Sequence, residues 1–276
     1  MKKIWFISNA GSGSASPDKV AALVELFAGK GWDLMGHSHF LHDILPDAAT
    51  LDAAGVDTVI LYAGDGTINA AIGALQGWSG AFLLLPGGTM NLLVKALHGD
   101  GDPAAIVAAS MTQSILVALP FVAGGEYRAY VALIVGPATS WFRAREQVRA
   151  GKIGGLGRAI GHAWARTFGR GIRLGGAYGL PAGAQAVLIS PKGAQLRLAA
   201  VDARDWRSIA VLGWDWLTDD WLDAAAVTES VAPTVSIEGD RPVQALFDGE
   251  PQLLSPGVQI SAGQTRAQFI CTKMPA

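Results

Sequence analysis

Short apolar runs alternate with helix-like segments from Lys3 to about Ala109, and this alternation limits the fold more than any other feature of the sequence. It is the pattern of βαβ units around a parallel sheet. The predicted strands are Ile4 to Ser8, Asp33 to His37, Thr58 to Tyr62 and Phe82 to Leu85. The predicted helices are Pro17 to Lys30, Asp47 to Ala54, Ile68 to Leu75, Met90 to Leu97 and Pro103 to Ala109.

After about Ser114 the sequence pattern changes to short β-like runs that are separated by Gly and Pro. Such runs predict an antiparallel sandwich that follows the α/β domain. We therefore expect a domain over residues 1–114 and a second one over residues 115–276. The predicted strands of the second domain are Ile115 to Phe121, Tyr127 to Val135, Gln185 to Ser190, Gln195 to Ala200 and Arg207 to Gly213.

Composition narrows the class of protein. Half of the 276 residues are hydrophobic and 16% are charged. This composition is typical of a globular protein whose surface includes apolar area. No apolar run reaches the roughly 18 to 20 residues of a membrane span, and the N-terminus lacks a signal-peptide pattern, so we expect a cytoplasmic protein. A net charge of -2 gives no general attraction to nucleic acid. A lone cysteine, Cys271, excludes an internal disulfide.

One segment, between Arg143 and Arg173, is strongly basic. Its cations are Arg143, Arg145, Arg149, Lys152, Arg158, Arg166, Arg170 and Arg173, against Glu146 as the only acid. We expect this segment to dock the protein on anionic membranes as a peripheral protein. The alternative is a helical pair that covers the sandwich and has the arginines on its solvated face.

Three glycine-rich turns each follow a predicted strand: Ser8 to Ser14, Ala63 to Asn69 and Leu85 to Asn91. Turns after parallel strands meet at one sheet edge, where glycines let backbone N–H groups approach a phosphate and a helix N-terminus attracts it. The three turns therefore predict a phosphate cradle, with ordinary βα turns as the alternative. None of them is a P-loop or a dinucleotide fingerprint. The histidines near residue 40, His37, His39 and His42, do not predict a metal site, because no nearby acid completes one.

These motifs resemble those of the diacylglycerol kinase-like lipid kinases, a family that includes the catalytic domains of diacylglycerol and sphingosine kinases. Ala63 to Thr67 is similar to their Gly-Gly-Asp-Gly-Thr motif, and Pro86 to Asn91 to their Pro-x-Gly-Thr-x-Asn motif. Asn9 to Gly13 is similar to their Asn-Pro-x-Ser-Gly loop. Near the end, Phe247 to Glu250 is similar to their Asp-Gly-Glu motif. Departures from the family pattern are Ala63, Ala10 and Leu92, which stand for glycine, proline and aspartate.

The resemblance implies a fold and a chemistry. The fold is a phosphofructokinase/NAD kinase-like parallel-sheet domain followed by a β-sandwich domain, and the chemistry is transfer of the γ-phosphoryl group of ATP to a lipid hydroxyl with Mg²⁺. The residues that would hold the nucleotide are Asn9, Gly11, Ser12, Gly13, Gly64, Gly66, Thr67, Asn69, Gly88, Thr89 and Asn91. Asn69 and Asn91 would also orient the loops.

The same resemblance assigns metal and base roles. Asp65 would position Mg²⁺, and Glu250 or Asp248 would accept the proton of the acceptor hydroxyl. A second, structural magnesium site would use Asp220, because the segment Asp219 to Asp223 is similar to a family segment; Trp221 stands there for glycine, and an acidic helix start explains the same residues.

Two other functions remain open from the sequence. One is a small-molecule kinase of the NAD kinase type, which shares the Gly-Asp-Gly turn. The other is a non-catalytic nucleotide- or lipid-binding relative, which Ala63 and Leu92 permit and which Asp65, Thr67 and Glu250 disfavour. The acceptor is diacylglycerol-like or sphingoid in the favoured interpretation, and a homodimer is possible because relatives often pair.

Overall fold

The computed structural model describes residues 2–89, 91–136, 172–180, 184, 186–201 and 227–273. The chain divides into two compact units, one of residues 1–119 with 264–276 and one of residues 120–263. Within the described ranges, no helix is both long enough and apolar enough to cross a membrane. The predicted boundary between residues 114 and 115 lies close to the division between Leu119 and Pro120. The return of residues 264–276 to the first unit was not predicted.

A parallel sheet forms the centre of the first unit. Its strands are β1 (Lys3–Ser8), β2 (Asp33–His39), β3 (Thr58–Ala63) and β4 (Ala81–Pro86), in the order β2-β1-β3-β4. All neighbouring pairs in this order are parallel. Every residue of β3 is buried, as expected for an apolar strand that is covered on both faces. The four predicted strands are thus confirmed.

Helices follow the strands as predicted. They are α1 (Pro17–Gly29), α2 (Ala48–Ala53), α3 (Asp65–Ala74), α4 (Leu92–His98) and α5 (Pro103–Thr112). Ser16 caps α1 as expected, since its side chain accepts a hydrogen bond from the backbone of Lys19 at 3.3 Å. Helix α3 begins at Asp65 and not at Ile68, so the predicted start was three residues late.

The last strand explains why the C-terminal residues join the first unit. Strand β15 (Gln259–Cys271) pairs in parallel with β4 through Gln268 and Phe269. The ring of Phe269 stacks on that of Phe82 at a centroid distance of 5.2 Å. Strand β15 therefore belongs to both units, and no local sequence signal marks where it changes partner.

The described strands of the second unit are antiparallel. Two of them are shared with the first unit: β5 (Ile115–Gly124), which enters the second unit at Pro120, and β15, whose first part lies here. The others are β6 (Tyr127–Ala129), β7 (Leu133–Val135), β8 (Arg173–Gly175), β9 (Ala186–Lys192), β10 (Gln195–Val201), β11 (Val227–Ala232), β12 (Thr234–Glu238), β13 (Val243–Phe247) and β14 (Glu250–Leu254). One sheet has the order β11-β10-β9-β7-β13-β14. Strand β12 pairs with β8 and with the start of β15, and β5 pairs with β6. One apolar core joins side chains from these groups, including Leu133, Ile237 and Phe247. The predicted class, an α/β parallel-sheet domain followed by a β-sandwich, is confirmed.

Several predicted features lie outside the described residues. They are the basic segment except Arg173, the predicted strand at residues 207–213, and the acidic segment at residues 219–223 with the predicted metal ligand Asp220. Arg173 is the first residue of β8.

Candidate functional site

The three glycine-rich turns lie at one edge of the parallel sheet. They follow β1, β3 and β4, and we call them loop 1 (residues 9–16), loop 3 (residue 64 and the start of α3) and loop 4 (residues 87–91). Since the three strands are parallel, their carboxyl ends meet at the same edge. The chain runs from β1 outward to β2 and then returns to β3 on the other side of β1, which places the topological switch point between loops 1 and 3. Open α/β sheets bind ligands at this point.

A side chain joins loop 1 to loop 3 across the switch point. The Asn9 amide nitrogen donates to the Thr67 hydroxyl at 2.9 Å, and the Asn9 amide oxygen accepts from the backbone of Gly11 at 3.1 Å. The Asn9 backbone N–H also donates to the carbonyl oxygen of Tyr62 at 3.0 Å. Asn9 therefore fixes the distance between two of the predicted phosphate-binding loops.

Loop 1 also contacts loop 4, through backbone groups and one serine hydroxyl. The Ser14 N–H donates to the Gly87 carbonyl at 3.1 Å, and its hydroxyl donates to the Gly88 carbonyl at 3.3 Å. A Cβ on Gly13 would lie only 2.8 Å from the Gly88 carbonyl carbon and from the Thr89 nitrogen. Gly13 has a φ of 25°, which further favours glycine at this position.

Loop 4 contacts loop 3 just as closely. A Cβ on Gly88 would lie 2.6 Å from the Gly64 Cα, and one on Gly87 would lie 2.8 Å from the Ala63 nitrogen. The three loops thus form a single surface lined by main chain, which only glycine allows. Gly87 was not among the predicted residues, although its position directly after the strand was a signal for such close packing.

Asn91 orders loop 4 from within. It is 9% exposed and adopts a left-handed conformation with φ 52° and ψ 45°. Its side-chain oxygen accepts from the Gly88 N–H at 2.8 Å, and its side-chain nitrogen donates to the Gly88 carbonyl at 3.0 Å. Both ends of the amide are thereby engaged with Gly88. The geometry fits the predicted role of Asn91 in orienting the loop.

Helix α3 starts inside loop 3. Gly64 is its N-cap, Asp65 its first residue, and within the part of the chain that is described no side chain caps it. The N-terminus of a ten-residue helix is a favourable place for an anion, because its first N–H groups have no partners in the helix itself. Asp65, Gly66, Thr67 and Asn69 are all partly exposed there. The predicted residues of loops 1, 3 and 4 are therefore brought together at one edge.

The late Asp-Gly-Glu motif is a tight hairpin in the second unit. Phe247 of β13 is paired with Glu250 of β14, so Asp248 and Gly249 form a two-residue turn. Their φ values are 48° and 89°, both in the left-handed region that such hairpins require and that Asp-Gly tolerates well. The turn leaves the Glu250 side chain partly exposed at the start of β14.

The carboxylate of Asp248 is buried, with the residue 6% exposed. One oxygen accepts from the Tyr130 N–H at 2.7 Å, and the other accepts from Val131 and Ala132 at 2.9 and 3.0 Å. The Asp248 N–H donates to the Ala132 carbonyl at 3.1 Å. Asp248 thus ties the hairpin tip to the segment that precedes β7.

Histidines lie beside loop 1 at the carboxyl end of β2. The Ser8 hydroxyl lies 2.9 Å from His37 Nε2 and 3.4 Å from His39 Nδ1. Burial, with a smaller contribution from His39, lowers the pKa of His37. This hydrogen-bonded group explains both histidines structurally, and among the described residues no cluster of three acids, histidines or cysteines could hold a metal.

Residues 3–118 match the family model of the diacylglycerol kinase catalytic domain. The match includes loops 1, 3 and 4, so the resemblance predicted from the motifs is confirmed for this segment. The late Asp-Gly-Glu hairpin lies beyond it.

Solved structures are similar over nearly the whole chain. A diacylglycerol kinase from Bacillus anthracis strain Sterne is 15% identical, with a TM-score of 0.62 over 98% of this chain and 97% of that one. Two further structures from the same strain, provisionally named diacylglycerol kinases, are each 17% identical with the same coverage and TM-scores of 0.63 and 0.64. At this identity the likeness establishes the two-domain fold. No curated protein matches the sequence.

Proposed function

We propose that this chain is an ATP-dependent lipid kinase, which transfers the γ-phosphoryl group to a hydroxyl of a diacylglycerol-like or sphingoid lipid. The observation that carries the proposal is the main-chain-lined surface of loops 1, 3 and 4, in the segment that matches the diacylglycerol kinase catalytic domain. Phosphoryl transfer needs positioning and neutralisation of charge more than covalent chemistry from the protein. The backbone N–H groups of the loops suit positioning, and the N-terminus of α3 contributes favourable partial charge.

The phosphates of ATP would be held by backbone N–H groups. Gly13, Gly64 to Thr67 and Thr89 would provide them, and the hydroxyls of Ser12 and Thr67 add further donors. The N–H groups of Gly11, Ser12 and Gly88 already donate to Asn9 and Asn91, so these residues would shape the loops around the phosphates. Close packing at Gly13 and Gly88 supports this assignment, because a side chain at either position would fill the space between the loops. The N-terminus of α3 adds a favourable partial charge for the anion.

The charge of Asp65 fits a magnesium ion at the same place. A carboxylate beside the phosphates would repel them, and Mg²⁺ is commonly held by one or two carboxylates together with substrate phosphates. When bound, Mg²⁺ with ATP would supply the transferable phosphoryl group in a charge-neutralised form. Asp65 would hold the ion, and Asp220, which lies outside the described residues, would serve a second, structural site.

Glu250 is the better candidate for the base that accepts the proton of the lipid hydroxyl. A general base needs a free lone pair at the reacting proton. Asp248 gives its oxygens to three backbone donors, whereas Glu250 is partly exposed at the start of β14. These contacts support a positioning role for Asp248 and the base role for Glu250.

The enzyme would be cytoplasmic and would bind its lipid acceptor at an anionic membrane surface as a peripheral protein. It would act alone or as a homodimer. A lipid with long acyl chains stays in the bilayer, so the enzyme would act where its site meets the membrane surface. The basic segment between Arg143 and Arg173 would contribute electrostatic attraction.

The test is transfer of radiolabelled phosphate from ATP to separate acceptors: mixed lipid extracts, purified diacylglycerol, a sphingoid base and NAD. We expect label in an organic-extractable product. Glu250→Gln should lower the rate at least roughly tenfold and leave ATP affinity unchanged, because loss of a general base acts on the chemical step. Glu126→Gln, on the exposed turn after β5, is the control. Label in NAD alone, or in no acceptor, would contradict the proposal.

A further inference from the structure

An apolar loop projects from the sheet edge that carries the three glycine-rich loops. It follows β2 and comprises residues 40–45, Phe-Leu-His-Asp-Ile-Leu, which we call the β2–α2 loop. Leu41 is 82% exposed and Ile44 is 95% exposed. Among the large hydrophobic side chains in the described part of the chain, only Tyr178, at 87%, is comparably exposed.

The exposure is built into the conformation of the loop. The N–H groups of His42 and Asp43 donate to the His39 carbonyl at 3.0 and 2.9 Å, and the Asp43 carboxylate accepts from the His39 N–H at 2.6 Å. Leu41 has a φ of 72°, a left-handed conformation that is unfavourable for a leucine. A strained residue in a hydrogen-bonded turn persists when the surrounding structure imposes it, and such outliers concentrate at functional positions.

The position of the loop relates it to the proposed nucleotide site. Strand β2 is parallel to β1, with His39 paired to Ser8, so the loop leaves the sheet at its carboxyl edge beside loop 1. Neighbouring strands are about 4.8 Å apart. A surface that accepted Leu41 and Ile44 would therefore lie against the same edge as the phosphate-binding loops.

The small apolar area that Leu41 and Ile44 expose favours a lipid partner over a protein partner. Two aliphatic side chains on a short turn cannot supply the roughly 800 Å² per partner that a stable protein interface buries. They do suit a lipid interface, which accepts isolated apolar side chains without a complementary surface. We propose that the β2–α2 loop is a membrane anchor, which inserts Leu41 and Ile44 into the apolar boundary of a bilayer. This inference rests on the proposed lipid-kinase function, because it explains how that site meets an acceptor in a membrane.

An apolar anchor differs from electrostatic docking in its response to salt. Insertion of aliphatic side chains does not depend on screening, whereas attraction of a basic segment weakens as ionic strength rises. The two contributions can therefore be separated on one protein.

The experiment is vesicle flotation with phosphatidylcholine vesicles that contain a minority of phosphatidylglycerol, at about 0.1 M and about 0.5 M salt. The variant is Leu41→Asn with Ile44→Gln; asparagine tolerates the left-handed conformation, so the turn is kept. The control is Leu116→Gln, which removes an aliphatic side chain that is 59% exposed on β5.

We expect the double variant to partition at least roughly tenfold less at both salt concentrations, as removal of buried aliphatic surface requires, and the control to stay within about twofold of the parent. Equal partitioning of the double variant and the parent at high salt would overturn the anchor. So would a dimer, detected by light scattering, that the double variant converts to a monomer while vesicle binding is unchanged.

Transfer to a water-soluble, short-chain acceptor separates this inference from the proposed function. The double variant should equal the parent in that assay and be slower only on vesicles. Absence of transfer by the parent to every acceptor would contradict the kinase proposal, whereas equal rates of both proteins on vesicles would contradict the anchor alone.

Discussion

Asp65 in the first unit and Asp248 in the second each precede a glycine in a motif similar to those of one family, and the two aspartates have different surroundings. Asp65 is the first residue of α3 and lies partly exposed at the carboxyl edge of the parallel sheet. Asp248 adopts a left-handed conformation at a hairpin tip, and its carboxylate is buried against three backbone N–H groups. Burial and hydrogen bonding therefore distinguish two similar dipeptides: Asp65 stays partly accessible at the sheet edge, whereas Asp248 holds the hairpin tip.

The largest effect that the comparison predicts is on activity at Asp65. Asp65→Asn should lower phosphoryl transfer at least about a hundredfold, since it removes the charge that would hold the metal but keeps the shape of the turn. The free energy of unfolding should change by less than about 1 kcal/mol, because Asp65 is partly exposed and asparagine has the same shape. Rate assays and urea unfolding on the same preparation measure both.

Asp18→Asn is the matched control for that experiment, because Asp18 also lies in the first turn of a helix, α1, but is not in a glycine-rich loop. It should retain full activity. Activity of Asp65→Asn within about threefold of the parent would make Asp65 a turn residue only.

A smaller effect, on stability, is predicted at Asp248. Asp248→Asn keeps the preference for a left-handed conformation but turns an amide NH₂ toward a backbone donor. We expect the free energy of unfolding of the second unit to fall by about 2 kcal/mol, because a buried donor loses its charged acceptor. Urea unfolding measures this change.

Glu250→Gln serves as the control for Asp248, since it lies two residues further on and is partly exposed. Its stability should equal that of the parent. If Asp248→Asn is as stable as the parent and loses activity, the structural role assigned to Asp248 is wrong.

The smallest predicted effect is the response of the first unit to acid. His98 Nδ1 lies 2.9 Å from the Thr272 hydroxyl, and burial lowers the pKa of His98 from 6.5 to about 4. Between pH 7 and pH 5 the unfolded chain would bind a proton at this residue and the folded chain would not, so stability is present at neutral pH and is lost as the pH falls. The expected loss is on the order of 1 to 2 kcal/mol.

Urea unfolding at pH 7 and pH 5 tests this response in the parent and in His98→Gln. The variant should show a smaller difference between the two pH values. His37, whose pKa is also lowered, acts in the same direction and would account for part of what remains. An unchanged difference in His98→Gln would show that His98 does not titrate as described.

The strands of the parallel sheet and the three loops could be predicted from the sequence because their signals are local. Buried parallel strands such as β3 are apolar throughout, and glycines directly after them mark turns that pack closely. The N-cap at Ser16 and the Asp-Gly hairpin have equally local causes, namely a capping hydroxyl and a preference for the left-handed region.

What could not be predicted depends on contacts between distant residues. The C-terminal part of β15 joins the first unit because Phe269 packs against Phe82, which lies far away in the sequence. The carboxylate of Asp248 is occupied by a segment more than a hundred residues earlier, so its motif alone left it as a candidate base. The start of α3 at Asp65 was missed because glycines on either side of it suggested a loop.

Binding of ATP with Mg²⁺ to Gly13→Ala, measured by calorimetry, tests the claim that loops 1, 3 and 4 bind nucleotide phosphates most directly. A Cβ at residue 13 would collide with Gly88 and Thr89, whereas one at Gly73 in α3 would meet nothing within 4 Å, so Gly73→Ala is the control. The account predicts that the parent and Gly73→Ala bind equally and that Gly13→Ala binds at least roughly tenfold more weakly, as loss of phosphate-binding geometry requires. Equal binding by all three proteins, or no binding by the parent, would contradict it.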